Sequence, residues 1–311
     1  MACTASASGR VAILLSTYNG ARFLAGQLDS LLGQTHRDWV VYWRDDGSTD
    51  ATVALMEAFA RGPASGRCIR LDGPGERIGA TASFLSLVKA AREEPTLAFA
   101  DQDDVWLPEK LARGQAALAA SSGELPALYC ARQILVDEHL KPISTSARPG
   151  RPPEFPMALT QNIATGCTVM LNRAAASLVA ASRAPPATVH DWWCYLLVSA
   201  AGGRLLLDDE PVVLYRQHPG NLVGAPPSVP RRAVAALRRG PGVFMTVFRQ
   251  HVAALWAHRH LLSEDAAAAV QQIQTALNGG LLARARALHR CGLRRQTGLE
   301  TLLFRWWFMI G

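Results

Sequence analysis

The six cysteines of this 311-residue chain form no metal or redox motif. No two of them stand in a C-x-x-C pair, and no histidine spacing is typical of a zinc site, so reduced thiols in a cytosolic protein are expected. The start, "MACTASASGR", lacks the basic end and apolar run of a signal peptide. The sequence contains no run of roughly 18 uninterrupted apolar residues, so a membrane-spanning helix is not expected.

Lysine is absent from the region between Arg231 and Gly311, which has 12 Arg and three acidic residues and a net charge of +9. Residues 1–230 have 20 basic and 22 acidic residues, a net charge of −2. The excess positive charge therefore belongs to the C-terminal region and not to the body, which argues against a nucleic-acid-binding body. A 49% hydrophobic chain of this length allows one large domain with an appendage, or two domains.

Strand-like and helix-like segments alternate over the first 120 residues. Apolar runs predict strands at 11–15, 39–44, 67–71 and 96–100, and helical spacing predicts helices at 21–34, 51–60, 81–91 and 107–120. Such alternation with short loops predicts an α/β domain with a mainly parallel sheet.

The alternation weakens after residue 120. A strand is expected at 125–136, a Pro-rich loop at 147–156, a loop, strand and helix over 162–181, and a helix at 190–203. The stretch "RLLLDDEPVVLYRQH" predicts two short strands with a turn at Asp208–Pro211, and "PPSVPRR" (226–232) indicates a boundary with the C-terminal region. No internal repeat is present.

Three polar clusters, "STYNG", "RDDGSTD" and "ADQDD", each follow a predicted strand. Ligands of parallel α/β sheets bind beyond the carboxyl ends of the strands, so these clusters are expected to share one site. The carboxylates of Asp101, Asp103 and Asp104 repel one another unless a counter-ion is present, and carboxylate oxygens suit Mg²⁺ or Mn²⁺. The alternative to a metal site is that the D-x-D residues belong to an ordinary solvated loop or cap a helix.

The ordered motifs "ILLSTYNG", "DDGSTD", "ADQDDVWLPEK", "TGCTVMLNR", "HDWW" and "YRQHPGN" resemble those of family 2 glycosyltransferases with a GT-A fold. The likeness covers about residues 10–224 and is greatest to bacterial rhamnosyltransferase-like members that build surface polysaccharides. It implies a GT-A domain at 1–225, divided into a nucleotide-sugar-binding half (about 1–125) and an acceptor-binding half (about 126–225). A basic, amphipathic helical region follows at 226–311.

The resemblance also implies donor and metal contacts. The expected nucleotide-sugar contacts are Thr17, Tyr18, Asn19, Asp45, Asp46, Asp101 and Gln102. Asp45 or Asp46 would accept a hydrogen bond from a pyrimidine N–H, and an ordinary turn before a helix capped by Ser48 or Thr49 is compatible with that role. The expected ligands of Mg²⁺ or Mn²⁺ are Asp101, Asp103 and His218, with Asp103 the direct ligand. His218 has the alternative of an ordinary surface or core residue.

The base implied by the resemblance is Asp191, which would take the proton of the acceptor hydroxyl. Its alternative is a helix N-cap, with Trp192 and Trp193 as core residues. The family more often has Glu-Asp where this chain has His190-Asp191. The residues expected to contact the acceptor are Asp104, Trp106, Gly166, Thr168, His190, Trp192, Trp193 and Arg216, with Asn162 as a further pocket or turn residue.

The function implied is inverting transfer of a sugar, with dTDP-rhamnose as the expected donor, to a saccharide or lipid-linked acceptor. A UDP-hexose donor is the nearest alternative. A nucleotidyltransferase is the alternative from another class, but "STYNG" has no basic residues to cradle a triphosphate. A non-catalytic sugar-binding protein would not need Asp191, and the Q-x-x-R-W motif of processive synthases is absent.

The C-terminal region mixes Arg with Val, Phe, Leu and Trp at helical spacing. Basic amphipathic helices of this kind lie on anionic membranes, so the protein is expected at the inner face of the cytoplasmic membrane. The alternative is a helical subdomain that packs on the body or forms a dimer contact. Nucleic acid is not expected as a partner.

Overall fold

A computed structural model describes residues 9–71, 77–121, 124–221 and 241–311. The first half contains β1 (Val11–Thr17), α1 (Ala21–Leu32), β2 (Trp39–Asp45), α2 (Thr52–Arg61), β3 (Cys68–Arg70), α3 (Ala80–Ala91), β4 (Thr96–Ala100), β5 (Val105–Trp106) and α4 (Lys110–Ala120). The alternation predicted from the sequence is therefore confirmed. The 226–232 boundary lies outside the described residues.

The second half and the C-terminal region contain fewer strands. They comprise β6 (Ala127–Val136), β7 (Pro142–Thr145), β8 (Met170–Asn172), α5 (Arg173–Ala180), α6 (His190–Ala200), β9 (Arg204–Arg216), α7 (Pro241–Ala257), α8 (Glu264–Asn278), α9 (Leu281–Arg290) and α10 (Gly298–Ile310). Short 3₁₀ turns lie at Met157–Leu159, Gly166–Thr168 and Arg259–Leu261. None of the helices within the described ranges is both long and apolar enough to cross a bilayer.

The strands of the described residues form one sheet in the order β3-β2-β1-β4-β8-β6-β9-β5, with β7 paired to β6. The first four strands run parallel, and every residue of β4 is buried, as expected for a strand covered on both faces. Thr17 lies beside Asp45, and Leu15 lies beside Ala100. This register brings the three polar clusters to the same edge of the sheet.

The β9 strand corrects the prediction of two short strands with a turn at Asp208–Pro211. It runs unbroken over Arg204–Arg216 and pairs in parallel with β6, with register shifts around Arg132. The irregularity accommodates Pro211, which has no N–H for the ladder. Asp208 accepts hydrogen bonds from the Arg113 guanidinium and the Tyr129 hydroxyl, each at 2.8 Å, which fixes the irregular segment against α4 and β6.

The C-terminal helices share a hydrophobic core with the body. Phe248 of α7 and Phe304 and Phe308 of α10 are buried in the same cluster as residues of α3, α5 and α6. The rings of Phe248 and Phe304 lie 5.6 Å apart, and those of Phe304 and Phe308 lie 6.0 Å apart. The aromatic cluster at the C-terminus is thus largely core.

Candidate active site

The ends of β1 and β4 are linked by the side chain of Gln102, which lies in the "ADQDD" segment. Gln102 Oε1 accepts from the Tyr18 amide, and its Nε2 donates to the Tyr18 carbonyl, both at 2.9 Å. Gly20 passes so close that a Cβ there would meet Gln102 Oε1 at 2.2 Å. A side chain at Gly20 would displace the Gln102 amide, so glycine in the "YNG" turn leaves room for this link between β1 and β4.

The end of β2 is tied to the end of β1. Thr17 Oγ1 donates to Asp45 Oδ1 at 2.9 Å, and the Ser48 amide and hydroxyl donate to the same carboxylate at 2.7 and 2.6 Å. Asn19, at φ 45°, accepts from the Thr49 amide at 2.8 Å. These contacts form the expected turn after β2, but the expected cap by Ser48 or Thr49 is wrong, because α2 begins at Thr52 after the N-cap residue Ala51, which makes no side-chain cap. Asp45 lies at the sheet edge where a nucleotide contact is expected.

Asp46 is buried and forms an ion pair with Arg44. Arg44 Nη1 donates to Asp46 Oδ1 at 2.7 Å, and the amides of Ile78 and Gly79 donate to the two carboxylate oxygens at 2.8 Å. The three donors satisfy the hydrogen-bonding capacity of this buried carboxylate. It joins the end of β2 to the start of α3.

Arg77 is a residue of this site that sequence reasoning missed. Its guanidinium carbon lies 4.0 Å from the centre of the Tyr18 ring, in cation–π geometry. It puts an exposed positive charge beside a predicted nucleotide contact and next to the backbone that holds Asp46. The sequence signal is only one arginine in "GERIGA", shortly before a predicted helix, which does not distinguish it from other surface arginines.

Asp101 lies where the D-x-D meets the candidate base. Burial raises the pKa of its carboxyl to about 8, with further contributions from the charges of Asp103 and Asp191. Asp101, Asp104 and Cys167 each offer a ligand atom, and these atoms lie within 4.8 Å of one another. The predicted convergence of acidic groups at the sheet edge is present in the structure.

Asp104 is the most buried member of the cluster. Its Oδ1 accepts from the Arg216 amide at 3.0 Å, while its Oδ2 has no protein partner among the described residues. Burial raises the pKa of Asp104 well above the ordinary range, and the charges of Asp101 and Asp103 add to this effect. An orphaned, buried carboxylate oxygen beside two more carboxylates fits an added cation.

The donor set fits a hard divalent cation. Mg²⁺ and Mn²⁺ prefer oxygen ligands, which Asp101, Asp103 and Asp104 supply, whereas the protonated thiol of Cys167 is a poor ligand for them. Burial raises the pKa of Cys167 well above its ordinary value, so the thiol stays protonated. The residues present are therefore compatible with the expected metal.

Lys110, which sequence reasoning also missed, lies behind the carboxylates. It is fully buried, and its Nζ lies 3.4 Å from the centre of the Trp106 ring. Burial lowers its pKa to about 7, and the nearby carboxylates of Asp101 and Asp104 oppose this effect. Its sequence signal was only a lysine in the first turn of a predicted helix.

His218 contacts the middle of the acidic cluster. Its Nδ1 accepts from the Gly220 amide at 3.1 Å, which leaves the proton on Nε2, 2.9 Å from Asp103 Oδ2. In this structure His218 therefore donates to the carboxylate expected to bind metal. Arg216 is buried and donates through Nε to the Asp103 carbonyl at 2.8 Å, so it holds the acidic loop instead of facing an open pocket.

Asp191 lies in the first turn of α6 and is held by three donors. Asn162 Nδ2 and the Trp192 amide reach Oδ1 at 3.1 and 2.6 Å, and the Gly166 amide reaches Oδ2 at 2.8 Å. Burial nevertheless raises the pKa of Asp191 to about 6. Such a value suits a base that is ionised at neutral pH and still able to take a proton.

His190, beside Asp191, faces inward. Its ring stacks on Phe84 at 4.0 Å, its Nε2 has no partner among the described residues, and burial lowers its pKa to about 3. Gly166 approaches it closely, since a Cβ there would lie 2.9 Å from His190 Nε2. His190 is thus a neutral, packed ring beneath the candidate base.

Three predicted acceptor contacts belong to the interior. Trp106 and Trp193 are 2% and 0% exposed, and Thr168 is fully buried with its hydroxyl on the Thr165 carbonyl. An acceptor cannot reach rings with so little exposed surface, so the structure corrects the prediction for both tryptophans. Trp192 is partly exposed, and its indole N–H donates to the Ala158 carbonyl at 2.8 Å.

Two cavities lie away from these carboxylates. One of about 390 Å³ is lined by Arg10, Tyr42 and Glu94 near the amino ends of the strands, and one of about 590 Å³ lies between the 152–156 loop and α8.

The sequence matches one family model over more than half of its length. The model described as "Glycosyl transferase family 2" covers residues 12–175. A Nostoc sp. protein, "Uncharacterized glycosyltransferase alr2836", is 34% identical over 105 residues, 33% of this chain and 31% of that protein. The Shigella flexneri "dTDP-rhamnosyl transferase RfbG" is 33% identical over 99 residues, 31% of this chain and 34% of that protein. The chain thus spans about a third of the length of these curated relatives.

Solved structures share the architecture at low sequence identity. The crystal structure of S. aureus TarS 1-349 gives a TM-score of 0.58 at 16% identity, over 85% of this chain and 69% of that chain. Its complex with UDP-GlcNAc gives 0.53 at 14% identity, over 92% and 93% of the two chains. The mannosyltransferase PcManGT from Pyrobaculum calidifontis, with GDP-Man and Mn²⁺, gives 0.50 at 18% identity, over 97% and 85%. These likenesses show the fold, which is the GT-A fold expected from the sequence.

Proposed function

Since the chain belongs to glycosyl transferase family 2, we propose that it is an inverting, metal-dependent enzyme that moves a sugar from a nucleoside diphosphate donor to a saccharide or lipid-linked acceptor. The observation that carries the proposal is the meeting of the D-x-D with Asp191. The Gly166 amide donates to Asp191 Oδ2 at 2.8 Å, and the thiol of the next residue, Cys167, lies within 4.8 Å of carboxylate oxygens of Asp101 and Asp104. These contacts support a single site for the candidate base and the candidate metal ligands.

The proposed mechanism is a single in-line displacement. The acceptor hydroxyl attacks the anomeric carbon while the bond from that carbon to the diphosphate oxygen breaks, and Asp191 takes the hydroxyl proton. Asp101 and Asp103, with Asp104 beside them, would hold Mg²⁺ or Mn²⁺, which neutralises charge on the leaving diphosphate when bound. His218 holds the Asp103 carboxylate and would help to receive the diphosphate as the charge develops.

Tyr18, Arg77 and the Asp45–Asp46 pair form the proposed nucleotide end of the site. A carboxylate accepts the ring N–H of uracil or thymine, whereas cytosine presents an acceptor at that position. The Arg77 guanidinium, near the Asp45–Asp46 pair, could donate hydrogen bonds to the carbonyl oxygens of uracil or thymine.

For the sugar we propose rhamnose from dTDP-rhamnose, in the assembly of a bacterial cell-surface polysaccharide. The motif order and the likeness to a dTDP-rhamnosyl transferase support this choice. A UDP-hexose donor is the second candidate, favoured by the shared fold with a protein crystallised with UDP-GlcNAc.

Calorimetric titration of dTDP-rhamnose, UDP-glucose, UDP-GlcNAc and GDP-mannose in the presence of Mn²⁺ tests the donor. We expect dTDP-rhamnose to bind at least about tenfold more tightly than the others, a difference of about 1.4 kcal/mol. A preference for a UDP-hexose selects the second candidate. If none of these donors binds with Mn²⁺ present, the donor part of the proposal is wrong.

We also propose that the protein works at the inner face of the cytoplasmic membrane and that α10 faces the lipid. Its residues Leu299, Leu302, Trp306 and Ile310 recur at helical spacing, and each is at least 53% exposed. Arg284 of α9 donates to the Met309 carbonyl at 3.0 Å, so the exposed Leu281 and Leu282 lie near the end of the same stripe. Residues 241–311 have eight Arg and three acidic residues, which favours an anionic surface.

Sedimentation with anionic vesicles tests the membrane proposal on the full chain. We expect binding at low salt that weakens at high salt, and loss of binding in the Leu302→Glu/Trp306→Glu double variant. Ile143→Glu is the matched control, because Ile143 is 60% exposed on β7 of the body. Equal loss of vesicle binding in the Ile143→Glu control would contradict a specific role of α10. A wild-type dimer that the double variant converts to a monomer would instead argue that the exposed face of α10 contacts a second copy of the chain.

A further inference from the structure

The chain segment that leads into α6 has no cap of its own. Val189 occupies the N-cap position in an extended conformation and has no side-chain group that could accept from the helix. Its carbonyl accepts the first helical hydrogen bond, from the Trp193 amide at 3.1 Å. The position of Asp191, two residues further on, therefore depends on contacts made to Thr188 and Val189.

A buried histidine of the C-terminal region makes one of these contacts. His251 of α7 is 0% exposed, and its Nε2 lies 2.8 Å from Thr188 Oγ1. The Thr188 hydroxyl donates to the Val189 carbonyl at 3.2 Å, so its oxygen accepts from His251 Nε2–H. Burial lowers the pKa of His251 to about 4, which keeps the ring neutral with a single N–H to donate.

The same segment is held from the nucleotide side of the molecule. Thr81 of α3 donates to the Thr188 carbonyl at 3.0 Å, near the point where the backbone preceding α3 donates to Asp46. The His251 ring also lies 4.6 Å from Trp192 in an edge-on arrangement. Thr188 thus connects α7, α3 and the first turn of α6.

We infer that His251 is a positioning residue for the proposed base. The hydrogen bonds from His251 to Thr188, and from Thr188 to the Val189 carbonyl, fix the N-terminus of α6 and hence the carboxylate of Asp191. The C-terminal region thereby takes part in catalysis although none of its described residues belongs to the acidic cluster. The inference rests on the role proposed for Asp191.

A matched pair of variants at Thr188 tests the inference. Thr188→Val keeps the shape and removes the hydroxyl, whereas Thr188→Ser keeps the hydroxyl. With the donor selected by the titration, we expect kcat to fall about tenfold or more in Thr188→Val, because small displacements of a reacting group are costly. The donor KM and nucleoside diphosphate binding should stay within about twofold, and Thr188→Ser should retain most of the activity.

Variants at His251 give the corresponding comparison. His251→Gln places an amide N–H where the ring donates, and His251→Leu does not. We expect His251→Gln to retain clearly more kcat than His251→Leu, with similar donor binding in both. Equal losses in the two variants, or a change confined to donor KM, would overturn the inference.

Amide exchange measured by mass spectrometry provides a readout that does not need activity. Without the Thr188 hydroxyl, the first turn of α6 should exchange several-fold faster around Trp193, while the peptide containing β4 stays unchanged. Unchanged exchange in Thr188→Val, or a uniform increase over the whole chain, would overturn the inference. A wild-type protein that transfers no sugar would instead contradict the proposed function, and the exchange comparison would still decide whether the Thr188 hydroxyl fixes the first turn of α6.

Discussion

At the scale of single residues, Asp191 shows how one carboxyl is adjusted by opposing effects. Three donors from Asn162, Gly166 and Trp192 stabilise its charged form, yet burial outweighs them and raises its pKa to about 6. A base with that pKa loses its proton just below neutral pH. Transfer should therefore increase as the pH rises through about 6.

Replacement of Asp191 by asparagine tests this assignment. The amide cannot take a proton, so kcat should fall by roughly 10²- to 10⁴-fold, the usual contribution of general acid–base catalysis. The rise of kcat through pH 6 should disappear, while donor binding with Mn²⁺ stays unchanged. The structure places Val189, not Asp191, at the N-cap of α6. Near-normal turnover in Asp191→Asn would therefore leave Asp191 with only a structural role in the first turn of that helix.

Asp103 is the residue for which metal dependence is most readily tested. EDTA should abolish transfer, and added Mn²⁺ should restore it. Asp103→Ala should weaken binding of nucleoside diphosphate in the presence of Mn²⁺ and leave its weak metal-free binding almost unchanged. Titrations of both proteins with and without Mn²⁺ measure the difference, and full activity after thorough chelation would contradict the metal assignment.

The sequence predicted the acidic residues of the candidate site better than its basic residues. Asp101 and Asp103 stand in a dense polar motif after an apolar run, so their place at the sheet edge could be predicted from strand order, whereas Asp191 was predicted only from the resemblance to family 2 glycosyltransferases. Arg77 and Lys110 stand alone, and their roles depend on the Tyr18 and Trp106 rings that the fold brings to them. A single arginine or lysine has no sequence pattern that distinguishes such a contact from an ordinary solvated side chain.

At the scale of elements, the alternating half of the chain was predictable because β1, β2 and β4 are largely continuous apolar runs. The β9 strand was not, because "DDEP" is typical of a turn in the sequence, whereas in the structure Arg113 and Tyr129 hold Asp208 inside an irregular strand. The buried tryptophans show the same limit. A "WW" pair at the start of a helix fits a ligand wall as well as a core, and only the packing of α6 decides.

The contact between the Gly166–Thr168 turn and α6 gives a prediction at this scale. A Cβ at Gly166 would lie 2.9 Å from His190 Nε2 and 3.4 Å from Asp191 Oδ2, so Gly166→Ala should displace the first turn of α6. We expect a lower kcat with unchanged donor binding, measured by steady-state kinetics and calorimetry. Gly242→Ala is the control, because a Cβ there meets nothing within 4 Å. Equal activity of the two variants would show that the turn can shift without affecting the base.

At the scale of the whole molecule, the C-terminal region has two chemically different faces. Phe304, Trp307 and Phe308 of α10 are buried against the body, whereas Leu302 and Trp306 are exposed. The sequence showed that the region is basic and amphipathic but could not divide its aromatic residues between these faces. Deletion from Arg231 onward is therefore a poor test of membrane binding, since it would also remove part of the core.

The shared core predicts that the body and the C-terminal helices unfold together. Phe248 is 1% exposed and packs against Phe304 and Phe308, so Phe248→Ala should lower the free energy of unfolding by about 3–5 kcal/mol, the usual loss for a buried phenylalanine. Urea unfolding followed by circular dichroism and by tryptophan fluorescence should give one coincident transition in both proteins, at a lower midpoint in the variant. The exposed Leu282→Ala variant should change the midpoint little, because Leu282 is 76% exposed. Two separate transitions, with only one of them shifted by Phe248→Ala, would mean that the C-terminal helices fold independently of the sheet, and the support of Asp191 by His251 would then require a docked region instead of a common core.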